Sequence, residues 1–274
     1  MVLDAAIGAT NNLHAPSRVG SSCVAQFSHT KISCYVQCPR KYQFRYVERI
    51  EPPSRSIELH LGNVVHLALQ KLYADLQNAA PMSESELLQF YDAQWSASFT
   101  SAIRIVRART TERDYFDSGR QMISAYYRRF HPFNQSATIG LEMRLLFPLA
   151  ELDTFEAKVD RISQSGENDY EIHDYKTSRR VPSPSQIQSD TQLALYEVAL
   201  RHRWPDAKQV SLVWHYLAHG KEVRDKRTGR QLETILQRTR QLSRNIEEAR
   251  SFPTRTTPLC DWCEYRSICP AVRS

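Results

Sequence analysis

The chain has 274 residues, of which 41% are hydrophobic and 24% are charged, and this composition is ordinary for a folded protein with a sizeable core. No stretch approaches the ~20 consecutive apolar residues that cross a bilayer, and the first residues lack the basic-then-apolar layout of a secretory signal. These features argue against a membrane protein and predict a cytoplasmic one. The 36 Lys and Arg residues exceed the 30 Asp and Glu residues, and the net charge of +6 fits a nucleic-acid partner as well as it fits plain solubility.

The first half of the sequence predicts a tail followed by helices. Residues 1–28 are rich in Ala, Asn, Ser and Gly without periodicity, which predicts a flexible tail ahead of a single domain over residues 29–274. From Gly62, the stretch "GNVVHLALQKLYADLQ" places apolar residues at helical spacing. Further helical patterns with aromatic faces occupy residues 83–133 and predict a helical insertion.

The hydrophobic pattern changes its period after residue 140. "GLEMRLLF", "TFEAKVDRI" and "YEIHDYKT" alternate apolar and polar residues, which predicts three consecutive strands. "SDTQLALYEVALRHRW" predicts a helix, "QVSLVWHYLA" a further strand, and "LETILQRTRQLSRNIEEARSF" a long amphipathic helix. The order predicts an α/β fold: a mixed α/β core with an inserted helical region and a C-terminal extension.

Acidic residues and a lysine meet at the ends of the predicted strands. Asp174 and Lys176 are two apart and therefore project from the same face of their strand, and Asp160 can join them from the neighbouring strand. Two such carboxylates form the oxygen site that Mg²⁺ or Mn²⁺ prefers, and such an ion polarises a phosphodiester and lowers the pKa of a bound water. Lys176 can then orient or deprotonate that water. The arrangement suits phosphodiester hydrolysis.

The acid-x-Lys pattern alone is weak, because it occurs three times and more often marks an exposed ion pair. Asp206-Ala-Lys208 falls in a predicted loop without an acidic strand before it. Glu156-Ala-Lys158 is a true competitor, since Glu142 lies on the preceding strand. Three further candidates are each open to a purely structural interpretation: His66 on an apolar helix stripe, and Gln192 and Tyr196, four apart on one helix.

Together, "GNVVH", "VDRI", "DYKTS" and "QLALY" resemble, in their order, the RecB-like branch of the PD-(D/E)xK nucleases. The resemblance implies a restriction-endonuclease-like core, a mixed sheet flanked by helices, and it favours "VDRI" and "DYKT" over "EAKV". It also implies a role for each matching residue. The implied roles are metal ligands for His66, Asp160, Asp174 and the Tyr175 carbonyl, catalysis for Lys176, DNA positioning for Gln192 and Tyr196, and support of the ligands for Glu142.

The C-terminal "CDWCEYRSICP" places Cys260, Cys263 and Cys269 at a spacing that strongly indicates metal ligands. Cys38 is the candidate fourth ligand, although the sequence alone does not exclude Cys34. Four thiolates suit zinc or iron–sulfur, and spacing does not choose between them. The layout is similar to RecB-family nucleases with a [4Fe-4S] cluster, such as CRISPR-adaptation nucleases and helicase–nucleases. That resemblance implies a structural cluster tying residue 38 to residues 260–269.

Two basic segments have open interpretations. The first is either a single-strand DNA path or a helix with mixed faces, and it contains Arg40, Lys41, Tyr42, Phe44, Arg45 and Tyr46. The second predicts a solvated helix face and contains Arg104, Arg107, Arg109 and Arg113.

The sequence therefore predicts a Mg²⁺- or Mn²⁺-dependent deoxyribonuclease, an exonuclease of single-stranded DNA or DNA ends in repair or antiviral defence. A helicase- or integrase-type protein is the expected partner, because the chain contains no G-x4-GK[ST] loop of its own. Two alternatives stay open: an RNA-directed nuclease of the same fold, and a catalytically idle DNA-binding subunit of a repair or CRISPR-adaptation complex.

Overall fold

A mixed β-sheet organises the protein, whose computed structural model describes residues 25–151 and 153–273. Eight strands occur in the described residues, and six of them form this sheet. The strands are β1 (Gln26–Ser28), β2 (Arg55–Ser56), β3 (Ile103–Arg104), β4 (Ala137–Pro148), β5 (Thr154–Gly166), β6 (Asp169–Lys176), β7 (Gln209–Tyr216) and β8 (Lys221–Asp225). The small strands β2 and β3 pair separately with each other. In the main sheet the order is β1-β5-β6-β7-β8, with β4 also paired to β5.

Helices cover both faces of the sheet, which confirms the predicted mixed α/β architecture. Each long helix except α7 starts with a Ser or Thr side chain that accepts a hydrogen bond from a backbone N–H of its first turn. The helices are α1 (His29–Gln37), α2 (Pro39–Tyr42), α3 (Ile57–Gln77), α4 (Glu84–Ser98), α5 (Glu112–Phe130), α6 (Pro184–Gln188), α7 (Gln192–Arg203), α8 (Gly229–Glu248) and α9 (Pro270–Arg273).

Two hydrophobic cores lie on opposite sides of the sheet. One core joins buried residues of β4–β7 to α1, α7 and α8, and includes Phe155, Leu195 and Trp214. The other joins α3, α4 and α5 to the end of β6 and includes Leu69 and Tyr175. The predicted helical insertion is therefore the cover of one sheet face rather than a separate unit.

The pairing of β5 changes partner midway along the strand. On one edge, β6 pairs with Arg161–Gly166 and β1 pairs with Thr154–Glu156, so the stretch between these ranges has no ladder partner on that edge. The β5–β6 ladder stops at Arg161 and His173, while β6 stays paired to β7 through Lys176. The strands separate here, and Asp160 lies at the opening.

Three sequence-based predictions need correction. Helix α3 begins at Ile57 rather than Gly62, because Ser56 caps it. Arg104, Arg107 and Arg109 do not lie on a helix, since α5 begins only at Glu112, whereas Arg113 lies exposed on α5 as predicted. The predicted tail lies mostly outside the described residues, as does Cys23, but its last residues form β1. Among residues 25–151 and 153–273, no helix is long and apolar enough to cross a membrane.

Candidate metal-dependent active site

The opening between β5 and β6 brings His66, Asp160 and the backbone of Tyr175 together. The Tyr175 N–H, which has no strand partner on this side, donates to Asp160 Oδ2 at 2.9 Å. His66, on α3, donates from Nε2 to the Tyr175 carbonyl oxygen at 2.7 Å, and its Nδ1 lies 3.4 Å from Asp160 Oδ2. The break in the ladder thus frees both backbone polar groups of Tyr175 to face side chains.

The imidazole of His66 lies between two oxygen acceptors and is therefore stabilised as a cation. Burial alone would lower its pKa, but the hydrogen bond and charge of Asp160 outweigh burial and raise the pKa of His66 to about 9. Burial opposes the charge of Asp160 in turn, yet His66 and the Tyr175 N–H lower the pKa of Asp160 below its ordinary value. At neutral pH the metal-free site holds an ion pair.

Glu142 joins this group from β4. Its register places it opposite Asp160, between the pairs Leu141–Arg161 and Met143–Val159. Ligand atoms of His66, Glu142 and Asp160 all lie within 4.8 Å of one another, the one group of three or more found in the described residues. Glu142 has a φ of 48°, in the left-handed region that non-glycine residues rarely adopt. Such strain is typical of functional sites, whereas the sequence pointed only to a supporting role for Glu142.

Asp174 stands beside this group and is held by Lys176 and Gln192. Lys176 Nζ lies 3.1 Å from Oδ1 and 2.8 Å from Oδ2 of Asp174, and Gln192 Nε2 donates to Oδ1 at 3.1 Å. The contact to Oδ2 is an ion pair without hydrogen-bond geometry, so this buried oxygen keeps free lone pairs. Burial raises the pKa of Asp174, an effect that Lys176 opposes.

Gln192 and Tyr196 form the far wall of the site. Gln192 Oε1 accepts from Lys176 Nζ at 2.9 Å, and Gln192 Nε2 lies 3.1 Å from Tyr196 Oη. The predicted shared helix face is confirmed by this contact. Tyr196 is only 7% exposed, so its position fits a role in fixing Gln192 and Lys176 better than contact with a long ligand.

Arg161, a buried arginine that the sequence did not single out, supports the site through the side chain of Tyr175. Arg161 is 5% exposed and donates to Tyr175 Oη at 3.1 Å and to His173 Nδ1 at 3.0 Å. Because a guanidinium only donates, His173 Nδ1 must be unprotonated, and His215 Nε2, 3.0 Å from it, must carry the proton. Both histidines are thus neutral, consistent with burial lowering the pKa of each.

The competing acid-x-Lys matches do not form a comparable site. Lys158 is 55% exposed and pairs with Glu142 at 2.5 Å, but Glu156 instead accepts from Gln26 at 2.6 Å. Lys208 is 61% exposed and lies 3.7 Å from Glu167. Strand β6, and not β5, therefore carries the acid and lysine that face a common site.

Four of the cysteines line one cavity: Cys38, Cys260, Cys263 and Cys269. Cys34 lies in the core instead, where burial raises the pKa of its thiol to about 11. Backbone N–H groups donate to sulfur, from Arg255 to Cys38 and from Thr257 to Cys260, both at 3.4 Å. The sulfurs are nevertheless spread out, since no three of these described cysteines lie within 4.8 Å of one another.

The basic–aromatic segment around Cys38 is largely structural. Tyr42 and Phe44 are 5% and 9% exposed, so neither ring is free to stack on a nucleic-acid base. Lys41 and Arg45 both contact Glu264, at 2.9 and 3.4 Å. This segment joins the N-terminal and C-terminal parts of the chain.

A mixed sheet opens here over acidic groups beside Lys176, whose side chain is 31% exposed, and this arrangement is that of a hydrolytic nuclease. The family model of the PD-(D/E)XK nuclease superfamily matches residues 26–270. The protein therefore belongs to the PD-(D/E)XK nuclease superfamily, whose members use divalent metal ions. No curated protein matches the chain.

Solved structures are similar to the chain at low sequence identity. A Eubacterium rectale protein provisionally named an exonuclease is 12% identical, with a TM-score of 0.53 over 90% of this chain and 87% of that one. The crystal structure of SSO0001 is 14% identical, with a TM-score of 0.44 over 94% and 89% of the two chains. The first of these similarities supports the fold alone.

Proposed function

We propose that the protein is a Mg²⁺- or Mn²⁺-dependent nuclease that hydrolyses phosphodiester bonds of DNA, in single strands or at ends. The observation that carries this proposal is the group of His66, Glu142 and Asp160 beside the paired Asp174 and Lys176. The chain keeps both the candidate metal ligands and Lys176 beside them, which argues against a catalytically idle binding subunit.

The donors in the site fit a hard divalent ion. The available oxygen atoms are those of Asp160 and Glu142, the Tyr175 carbonyl that His66 contacts, and the free Oδ2 of Asp174. Positive charge on His66, Lys176 and Lys158 balances these groups in the metal-free protein, and it is the proton on His66 that a cation would replace. When bound, the ion supplies Lewis-acid polarisation of a phosphodiester oxygen and a water of lowered pKa.

In the metal-free protein Lys176 is a cation. Burial opposes its charge, but the Asp174 carboxylate outweighs burial and raises the pKa of Lys176 above its ordinary value. The ammonium therefore keeps its proton at neutral pH and can stabilise negative charge that builds on the phosphate. Gln192 positions it, because the same amide holds both Lys176 and Asp174.

The cysteine cavity is proposed to hold a structural [4Fe-4S] cluster, with zinc as the alternative. N–H groups directed at Cys38 and Cys260 suit anionic thiolates, and Arg40, Lys41, Arg255 and Arg266 also line the cavity. A zinc tetrahedron with bonds of about 2.3 Å needs sulfurs about 3.8 Å apart. Because no three of these sulfurs lie within 4.8 Å of one another, zinc would require them to move closer together. Cys38→Ser should lose brown colour and solubility, whereas Cys34→Ser should keep both; a colourless protein with one zinc would contradict the cluster.

Activity is tested with anaerobically purified protein and end-labelled single-stranded DNA, duplex DNA and RNA, with and without Mn²⁺. We expect Mn²⁺-dependent cleavage of DNA, with Asp160→Asn and Lys176→Met each slower by several powers of ten. Lys208→Met is the matched control and should cut normally, since this lysine is exposed on a loop. Preference for RNA would favour the first alternative, and wild-type cleavage by Lys176→Met would contradict the assigned site.

Metal binding is tested separately from cleavage. Titration of Mn²⁺ followed by electron paramagnetic resonance should show about one site per chain besides any cluster signal. Glu142→Gln and Asp160→Asn should each weaken binding about tenfold or more, because each removes a charged oxygen ligand. Unchanged affinity in Glu142→Gln would return this residue to the supporting role that the sequence suggested.

A further inference from the structure

A basic groove adjoins the active site at Thr177 and has no role in the chemistry described above. It lies between the first turns of α3, the first half of α5 and the loop that follows β6, and its volume is about 440 Å³. We define the basic groove by the residues Glu58, Arg107, Thr177, Ser178, Arg179 and Arg180. Its size is that of a site for a small molecule or a short piece of a larger chain.

The groove is continuous with the catalytic residues. Thr177 follows Lys176 directly, and Thr177 Oγ1 would lie 3.5 Å from a β-carbon placed at Gly62. Gly62 is four residues before His66 on α3, so the two share a helix face. Because Gly62 has no side chain, the path from His66 into the groove stays open. A ligand that leaves the metal-binding group along α3 enters the basic groove.

The positive charge of the groove is incompletely neutralised. Arg107 Nε lies 3.7 Å from Glu58 Oε1, beyond hydrogen-bond distance, and that oxygen already accepts from Tyr115 and Trp262. Arg180 donates to the neutral amide of Gln186 at 3.3 Å. In the described part of the chain, neither Arg179 nor Arg180 has a carboxylate within 4.0 Å. Asp114 interacts electrostatically with Arg179, but its carboxylate already accepts a hydrogen bond from the Thr111 N–H at the start of α5.

A second groove on the other side of α3 allows a comparison. It has a volume of about 490 Å³ and is lined by Arg45, Arg49 and Arg55, but also by Glu51 and Glu264. Arg45 is paired with Glu264 at 3.4 Å. Three arginines thus face two carboxylates there, whereas three arginines face one carboxylate in the basic groove. The stronger positive field lies next to Thr177.

We infer that the basic groove binds the stretch of a single polynucleotide strand adjoining the scissile phosphate, with Arg107, Arg179 and Arg180 contacting its phosphates. This inference rests on the proposed nuclease function. Guanidinium groups whose charge is incompletely neutralised are strong phosphate donors, and three of them line this one groove. A groove of about 440 Å³ has room for part of one strand and not for a duplex, which deepens the proposal from DNA to single-stranded DNA.

The test combines binding and steady-state cleavage of a fluorescent oligothymidylate. We expect Arg107→Gln/Arg180→Gln to raise KM about tenfold or more, with kcat at saturation within about threefold of wild type. The slope of binding against salt concentration, measured in EDTA, should fall by about two, one for each phosphate that the variant no longer neutralises. Arg107→Lys/Arg180→Lys should restore most of the affinity, because Lys also binds phosphate.

The matched control is Arg49→Gln/Arg55→Gln, which removes the same charge from the second groove and should leave KM nearly unchanged. A larger effect of this control would overturn the inference, because the strand would then follow the second groove. Wild-type KM and salt dependence in Arg107→Gln/Arg180→Gln would also overturn it, while the proposed function stood. Failure of wild-type protein to cut any nucleic acid would instead remove the proposed function itself. Thermal unfolding confirms that each variant is folded.

Discussion

Replacing Lys176 with Met should make the stability of the metal-free protein strongly dependent on pH. The Asp174 side chain is 4% exposed, and Lys176 is the cation that contacts both of its oxygens. Met keeps the unbranched shape of the side chain and removes its charge. The variant therefore leaves a buried carboxylate next to the charge of Asp160, with the neutral amide of Gln192 as its remaining hydrogen-bond donor.

The size of the loss is bounded, because the buried carboxyl can always take up a proton. Protonating a group with an unfolded pKa of about 3.9 costs about 4 kcal/mol at pH 7 and about 1.5 kcal/mol at pH 5. The first value agrees with the 3–5 kcal/mol typical of broken buried ion pairs. The folded variant binds more protons than the unfolded chain, so its stability falls as pH rises above the unfolded pKa. We expect a loss of about 2–4 kcal/mol at pH 7 that shrinks to about 1.5 kcal/mol or less at pH 5.

Urea unfolding at both pH values, in EDTA, measures this difference against wild type. Two variants complete the design. Lys176→Met/Asp174→Asn has no buried charge and should recover most of the stability at pH 7 with little pH dependence. Lys208→Met removes an exposed charge and should lose less than about 1 kcal/mol at either pH. An equal loss at pH 5 and pH 7, or no recovery in the double variant, would refute the reasoning that Asp174 is a buried charge held by Lys176.

Two further predictions follow from the site and from the helix that covers it. Because the pKa of His66 is raised to about 9, its pair with Asp160 stabilises the metal-free fold fully below about pH 6.5 and loses this effect as pH rises through about 9. A metal needs the neutral imidazole, so Mn²⁺ affinity should rise about tenfold from pH 7 to pH 8 in titrations, and His66→Gln should remove that dependence. Gly119→Ala should cost about 1–3 kcal/mol in urea unfolding, because its β-carbon would lie 2.1 Å from Tyr91 Oη and 2.9 Å from Leu61 Cδ1. Gly229→Ala, with no atom within 4 Å of its β-carbon, should be neutral or stabilising, and an equal loss there would contradict the packing argument.

The sequence predicted the sheet well where strands are long and half-buried. Alternation identified β4, β5 and β6, and spacing of two placed Asp174 and Lys176 on one face. Strand β8 was missed, because "KEVRD" is short and mostly charged, as edge strands often are. The stretch from Arg104 to Arg109 was misread as helical, since propensity cannot reveal that Arg104 ends β3, which pairs with β2, and that α5 begins only at Glu112.

The role of Glu142 and Arg161 could not be predicted from alternation, because both depend on a local failure of strand geometry. Val159 and Ile162 belong to the same hydrophobic core although they are three residues apart, and a regular strand would direct them to opposite faces. The pleat must therefore break between them, where Asp160 and Arg161 lie. The break directs Asp160 toward His66 and Arg161 toward Tyr175.

The same irregularity explains why the proposed ligands come from three separate strands and a helix. If β5 and β6 stayed paired past Arg161, the Tyr175 N–H would bond to β5 and would not be free to hold Asp160. At the position opposite Asp160, Glu142 likewise departs from ordinary strand geometry, because its backbone is left-handed. Proteins tend to break local rules where function requires it. In this chain the loss of alternation after Val159 is itself a sequence signal for the site. An acidic residue followed by a buried arginine does not fit the alternation of a strand, but both residues have side chains suited to a functional site.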